Sequence, residues 1–198
     1  MDNVIAEGAE AKIVKVNDDI LKKIRLPKTY RLEIIDKKLR KFRNKREFKV
    51  LQKLYRAEVN VPIVYDLIEN EDEIAFTFEF LNGDDLKYVI IKDNLFLAFN
   101  EIIKMHNNDI VHADLTTLNM ILKDNKVYLI DFGLASFSHK SEDKAVDLNI
   151  FFNCIKNEHP DFFEYKEELL DVYLNDANNS QKTIKSLENI EKRGRNKK

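Results

Sequence analysis

The stretch from His112 to Gly133 holds side chains whose types and order could do chemistry. Asp114 is followed, after four residues, by Asn119, and Asp131 opens the triplet Asp131-Phe132-Gly133. Short apolar runs surround them: Ile110-Val111, Met120 to Leu122 and Val127 to Ile130. Each run is too short for a helix and reads as a buried strand, so the polar residues at its edges are held rigidly. Asp131 and Asn119 offer the hard oxygen donors that Mg²⁺ prefers. Asp114 remains free to accept a proton from an attacking hydroxyl or water. Taken singly, Asp114 and Asn119 could be turn formers and Asp131 a strand end. Taken together at this spacing, they read as a site.

Other elements must position that site. Residues 3 to 25 predict a three-stranded antiparallel meander, with runs at Val4–Ala6, Ile13–Val16 and Ile20–Ile24 and a turn at Asn17-Asp18-Asp19. Alternation on the third strand puts Leu21, Lys23 and Arg25 on one face and Ile20, Lys22 and Ile24 on the other, and does not decide which lysine meets the cleft. Ile34 to Ala57 predicts one long helix, apolar at Ile35, Leu39, Phe42, Val50, Leu51 and Leu54. Glu47 lies on that stripe and must find a cation there or suffer a heavy desolvation penalty. Arg43, one turn earlier, is one candidate. Strands from Val61 and from Ile74 to Leu81 follow, joined by the acidic turn Glu69–Glu73. A core helix carries Leu95, Ala98, Phe99, Ile102 and Ile103, with His106 read as structural. Helices are expected from Asp143 through Ile155, from Pro160 to about Leu174, and finally to Lys192.

The order Asp, four residues, Asn, then Asp-Phe-Gly resembles the catalytic signature of the protein-kinase-like fold. Five segments resemble one family within it: Glu7-Gly8-Ala9-Glu10-Ala11, Pro27-Lys28-Thr29-Tyr30-Arg31, Asp114 to Asn119, Glu142 to Leu148, and Lys192-Arg193-Gly194-Arg195. That family is the small atypical kinase/ATPase of the KEOPS complex, also called PRPK and related to the RIO kinases. The resemblance implies an α+β, small bilobal protein-kinase-like fold: an N-terminal antiparallel sheet with a long helix, then a reduced, mainly helical C-terminal lobe. The expected divisions are 1–81, 82–191 and a basic tail at 192–198. It implies ATP and Mg²⁺ as cofactors, with Asp114 as catalytic base and Asn119 and Asp131 as metal ligands. Lys23 is selected as the lysine on the α- and β-phosphates, with Glu47 as its partner. Gly8 remains from the glycine-rich phosphate loop, and Glu79 to Leu81 would present backbone groups to adenine. Asp147 would accept backbone N–H bonds from the catalytic loop.

The family implies autophosphorylation on serine or threonine and support of tRNA threonylcarbamoyl-adenosine modification. The implied partners are an ASKHA-fold threonylcarbamoyltransferase and other KEOPS subunits. A RIO-like kinase, or a catalytically weak scaffold recruiting RNA, is the alternative. Some kinase features are absent. Ala113 replaces the arginine that would bind a phosphorylated activation loop, only Leu134 to Asp143 separates the site from the next helix, and no Ala-Pro-Glu follows. Switching by loop phosphorylation and gripping of generic peptides are therefore not expected.

Composition fits this reading. The 198 residues are 44% hydrophobic and 34% charged, with formal net charge −2, as in a soluble globular protein. The single cysteine, Cys154, excludes a disulfide framework or multi-cysteine zinc site within the chain. No membrane-length apolar run or signal peptide is seen, so no membrane partner and a cytoplasmic location are expected. Lys28 to Arg46 holds nine basic residues against two acidic ones, and Lys192 to Lys198 holds five against none. Two basic poles on an acidic body suggest tRNA, gripped by the long helix (Lys37, Lys38, Arg40, Lys41, Arg43, Lys45, Arg46) and by Arg193 and Arg195.

Overall fold

A computed structural model of the chain describes residues 3–195. Five antiparallel strands come first: β1 Asn3–Glu7, β2 Ala11–Lys15, β3 Ile20–Arg25, β4 Val64–Glu69 and β5 Ile74–Glu79, in the order β1-β2-β3-β5-β4. The β2–β3 turn closes on Asn17, whose Oδ1 accepts the Asp19 N–H at 2.9 Å. The β4–β5 turn closes on Asn70, whose Oδ1 accepts the Glu73 and Asp72 N–H groups at 2.6 and 3.0 Å. β3 lies at the sheet's centre, with Lys23 opposite Ile13 on β2 and Phe76 on β5. Its face carrying Leu21, Lys23 and Arg25 is buried, whereas Lys22 pairs on the other side with Glu73 at 2.9 Å.

Helix α1, Glu33–Arg56, packs across this sheet. Its second half is buried through Asn44, Glu47, Phe48, Val50, Leu51 and Leu54, and the buried Asn44 donates to the Ala75 carbonyl at 2.8 Å. The first half departs from the expected continuous core stripe. Ile35, Leu39 and Phe42 are exposed, as are Tyr30, Leu32 and Ile34. The basic pole is also less open than its count suggests. Arg40 is engaged by Asp36 (2.6 Å), Lys45 by Glu69 (2.8 Å) and Arg43 by Glu10.

After β5 the chain becomes mainly helical. Two-residue β6 (Asp84–Asp85) pairs with β8 (Met120–Lys123), which pairs with β9 (Lys126–Leu129). Gly83 sits where the chain passes over β8. A Cβ there would press on the Leu122 carbonyl and come within 2.7 Å of Ile121 Cγ2, so only glycine fits. Short α2 (Leu86–Val89) leads to α3 (Lys92–Asn107), whose Leu95, Ala98, Phe99 and Ile102 are fully buried. β7 (Ile110–Val111) pairs with β10 (Ser136–Phe137), and α4 (Ser141–Glu158), α5 (Lys166–Asp176) and α6 (Ser180–Arg195) complete the fold. Among the described residues no helix is long and apolar enough to cross a membrane.

Several boundaries move from their expected places. β4 starts at Val64 rather than Val61, since Pro62 lacks a ladder donor. The helix expected from Pro160 is a 3₁₀ segment to Tyr165 followed by α5. The last helix does not stop at Lys192: α6 continues through Gly194 to Arg195. A helical glycine costs about 1 kcal/mol against alanine without ending the helix. The rest of the expected basic tail, Asn196 to Lys198, lies outside the described residues.

Candidate functional site

The loop that carries Asp114 joins β7 to β8 and is held from beneath. Asp147, on α4 and 1% exposed, accepts the His112 N–H at 2.5 Å and the Ala113 N–H at 2.7 Å, the expected contact. Ala113 is left-handed (φ 66°), a conformation that costs a non-glycine residue about 1 kcal/mol or more. The two amide bonds to Asp147 offset that cost. Buried His106 lies 3.4 Å from Asp147 and 3.0 Å from the Tyr173 hydroxyl, in the structural place expected for it. Burial pushes its imidazole below the usual range despite Asp147. His112 reaches the other way: Nε2 is 2.9 Å from the Ile130 carbonyl, and its ring lies 4.7 Å from that of Phe132. The loop thus ties α4 to the Asp131-Phe132-Gly133 segment. Above it, Asp114 is exposed, and the Asn119 Nδ2 donates to its carbonyl at 2.8 Å and its carboxylate at 3.0 Å. Those bonds direct the Asn119 carboxamide oxygen away from Asp114.

Asp131 follows β9, held two ways. Its backbone is left-handed (φ 57°, ψ 66°), and its Oδ1 accepts the Gly133 N–H at 3.3 Å. Lys23 Nζ lies 2.8 Å from Asp131 and 2.7 Å from Glu47. Burial opposes charge on both partners of the Lys23–Asp131 pair. For Lys23, Glu47 and Asp131 outweigh burial and hold the ammonium above its ordinary range. For Asp131, Lys23 outweighs burial and holds the carboxyl below the usual range, helped by the Gly133 N–H. A Cβ on Gly133 would stand 3.1 Å from the Asp131 Oδ1, so glycine permits this close approach.

The geometry answers the open question about Glu47. Its Oε1 faces Lys23, while Arg43, the alternative, turns away to Glu10. Sequence reasoning missed a second cation: Arg25, 5% exposed, donates to Glu47 Oε2. Its signal was present in the alternation that places Arg25 on the Lys23 face. Arg46 was counted only as part of a basic pole, yet it reaches the Gly133 carbonyl at 3.5 Å.

Lys23, Glu47, Asn119 and Asp131 line one cavity of about 450 Å³, whose apolar walls include Ile13, Leu21, Phe78, Ile121 and Ile130. Glu79 and Leu81 border it as well. The Glu79 N–H donates to the Ile63 carbonyl at 2.8 Å and the Phe80 N–H to the Asp19 carbonyl at 2.8 Å. N–H and C=O of one strand residue point to the same side, so the Glu79 carbonyl is aimed away from β3. A second cavity, about 480 Å³, adjoins at Lys23 and Asp131 and lies between residues 6–11, Arg25, Asp114 and Gly133. Gly8 is in its roof. Its N–H is taken by the Ala11 carbonyl at 2.9 Å, and a Cβ there would make only ordinary contact at 3.8 Å.

A lysine–glutamate pair between sheet and helix, a left-handed aspartate and a loop carrying Asp-x4-Asn define a protein of the kinase-like class. Comparison with known proteins agrees. A RIO domain matches residues 12–157. The "Probable serine/threonine-protein kinase BUD32 homolog" of Archaeoglobus fulgidus is 34% identical over 95% of this chain and 93% of its own length. The "EKC/KEOPS complex subunit BUD32" of Yarrowia lipolytica is 34% identical over 98% and 92%. The "Probable bifunctional tRNA threonylcarbamoyladenosine biosynthesis protein" of Methanobrevibacter smithii is 38% identical over 98% of this chain, which spans only 37% of that protein. The chain belongs to the RIO-domain family, in its BUD32 branch.

Proposed function

We propose that the chain is an Mg·ATP-dependent serine/threonine phosphotransferase and ATPase that phosphorylates itself and supports threonylcarbamoyl-adenosine modification of tRNA. The observation that carries this is the convergence of Lys23, Glu47, Asp114, Asn119 and Asp131 on two adjoining cavities. The donor set fits the cofactor. Asp131 is held ionised, and the Asn119 carboxamide oxygen is turned from Asp114, so both present oxygen to the cavity. Asn119 and Asp131 would hold Mg²⁺, which when bound neutralises charge on the transferring phosphoryl oxygens. Lys23 would orient the α- and β-phosphates, and Glu47 fixes Lys23. The apolar walls would take the adenine, with Glu79 and Leu81 offering backbone groups at its edge and Gly8 in the loop above the phosphates. Asp114 would accept the proton of the attacking hydroxyl or water.

The relatives' names support the wider setting. Some are named as bifunctional proteins of tRNA threonylcarbamoyladenosine biosynthesis, and another as a KEOPS complex subunit. We assign this chain the kinase-like part, with lobes meeting near residues 81–82, a cytoplasmic location and a threonylcarbamoyltransferase partner among other KEOPS subunits. tRNA would lie along the basic face of α1 and the basic end of α6. Release of phosphate from ATP, with and without Mg²⁺, tests the chemistry. Turnover should require Mg²⁺ and appear as free phosphate or self-phosphorylation. The segment between Leu134 and α4 is short, so efficient transfer to generic peptides would contradict the proposal. Removing residues 193–198 should abolish any stimulation by tRNA offered with the transferase, while Mg·ATP affinity stays the same.

A further inference from the structure

Glu47 is 2% exposed, and a carboxylate so buried must stay paired. It has two cations, and they differ in kind. Lys23 is shared: its Nζ lies 2.7 Å from Glu47 and 2.8 Å from Asp131, where the two cavities adjoin. Any phosphate entering there competes for that ammonium. Arg25 also borders the second cavity but pairs with no second carboxylate among the described residues. It sits on the central strand β3, opposite Ala11, is 5% exposed, and holds the other carboxylate oxygen of Glu47. Its charge is permanent and its planar fork is fixed by the strand. One turn before Glu47, Asn44 pins α1 to β5 through the Ala75 carbonyl.

We propose that Arg25 is a positioning residue: it keeps Glu47, and with it α1, docked in the cleft whether or not Lys23 is engaged by a nucleotide. This rests on the Mg·ATP reading for its consequence, though not for its geometry. Kinase-like proteins with a long activation segment can use loop phosphorylation to bring the helix glutamate into place. Here only residues 134–140 lie between the Asp131-Phe132-Gly133 turn and α4, and Ala113 stands where a phosphate-binding arginine would be. Arg25 supplies a standing anchor in place of that switch, so the site is assembled without modification.

The test uses the full chain and the variants Arg25→Met, Arg25→Lys and Lys23→Met. Amide hydrogen exchange of α1 is followed without nucleotide, alongside kcat and KM for Mg·ATP. Arg25→Met should lower protection over residues 44–54 by roughly tenfold or more, on the scale of one buried ion pair in local opening. Lys23→Met should leave that protection near wild type. Arg25→Met should also reduce kcat with little change in KM, and Arg25→Lys should recover most of the kcat. Should Lys23→Met expose α1 as much as Arg25→Met does, or should Arg25→Met exchange like wild type, the proposal is overturned. If Arg25→Met does not fold, Arg25→Lys and Lys23→Met decide: wild-type α1 protection in both supports the anchor, and loss in Lys23→Met alone overturns it. A wild-type chain that fails to bind Mg·ATP would defeat the proposed function and leave the exchange comparison intact.

Discussion

Asp131 and Asp114 stand in the same cleft, both open to solvent, and differ in what holds them. Asp131 is clamped: left-handed backbone, Lys23 at 2.8 Å, a Gly133 N–H, and a carboxyl held below its usual range. Asp114 is exposed, and its carboxylate receives the Asn119 amide at 3.0 Å. The rigidity of its loop comes from below, where Asp147 grips the two preceding amides. One carboxylate is held charged and fixed, as its proposed role of metal ligand requires. The other has no cation on it among the described residues and would, in the proposed role, accept the proton of the attacking group. Under the proposed roles, the difference would divide binding from proton transfer by the partners of two identical side chains.

The comparison breaks most visibly at Asp131. Asp131→Asn should lower Mg²⁺-dependent turnover by about 10³-fold or more, the scale of losing a preorganised electrostatic contact, and should weaken Mg²⁺-dependent ATP binding in calorimetry. Asp114→Asn should lower kcat by about 10²-fold while sparing ATP affinity; a matching loss of affinity would erase the division. Gly83→Ala tests the scaffold beneath both. The added methyl has no room against β8 and should cost about 1–3 kcal/mol in chemical denaturation.

A pH effect follows from His106, beneath the loop that carries Asp114. Burial places its folded pKa below the ordinary 6.5, so the unfolded chain binds more protons in that range. Its contribution to stability is complete above pH 6.5 and is lost as pH falls towards the depressed folded value. Denaturation midpoints from pH 7.5 down to 5 should therefore slope less in His106→Gln than in wild type. The smallest effect is expected at Gly8. Gly8→Ala meets only ordinary contacts and should leave ATP affinity within about twofold, under 0.5 kcal/mol; a large loss would make Gly8 part of the clamp on the nucleotide.

Much of this was legible because local patterns and site residues coincide. The i, i+3, i+4 pattern in the second half of α1 identifies a buried face with Glu47 on it, whereas alternation on β3 separates two faces without choosing between them, and the resemblance selects Lys23. The runs around His112 to Gly133 were short enough to read as strands, as β7, β8 and β9 are. The first half of α1 shows where periodicity misleads. Ile35, Leu39 and Phe42 repeat at helical spacing, yet they are exposed, because a stripe records that something can cover it without saying whether this chain does. The end of the last helix misled in the opposite sense: read to Lys192, α6 runs on through Gly194 to Arg195 and packs on α4 and α5. Arg25 lay in plain view as a basic residue. Its pairing with Glu47 depends on how far α1 sits above β3, a distance that no local pattern encodes.

The most direct test of the central claim is calorimetric titration of ATP into the full chain, with and without Mg²⁺, for wild type, Asp131→Asn and Asp114→Asn. The account predicts Mg²⁺-enhanced binding in wild type and Asp114→Asn, and loss of the enhancement in Asp131→Asn. Equal Mg²⁺ enhancement in all three proteins would contradict it.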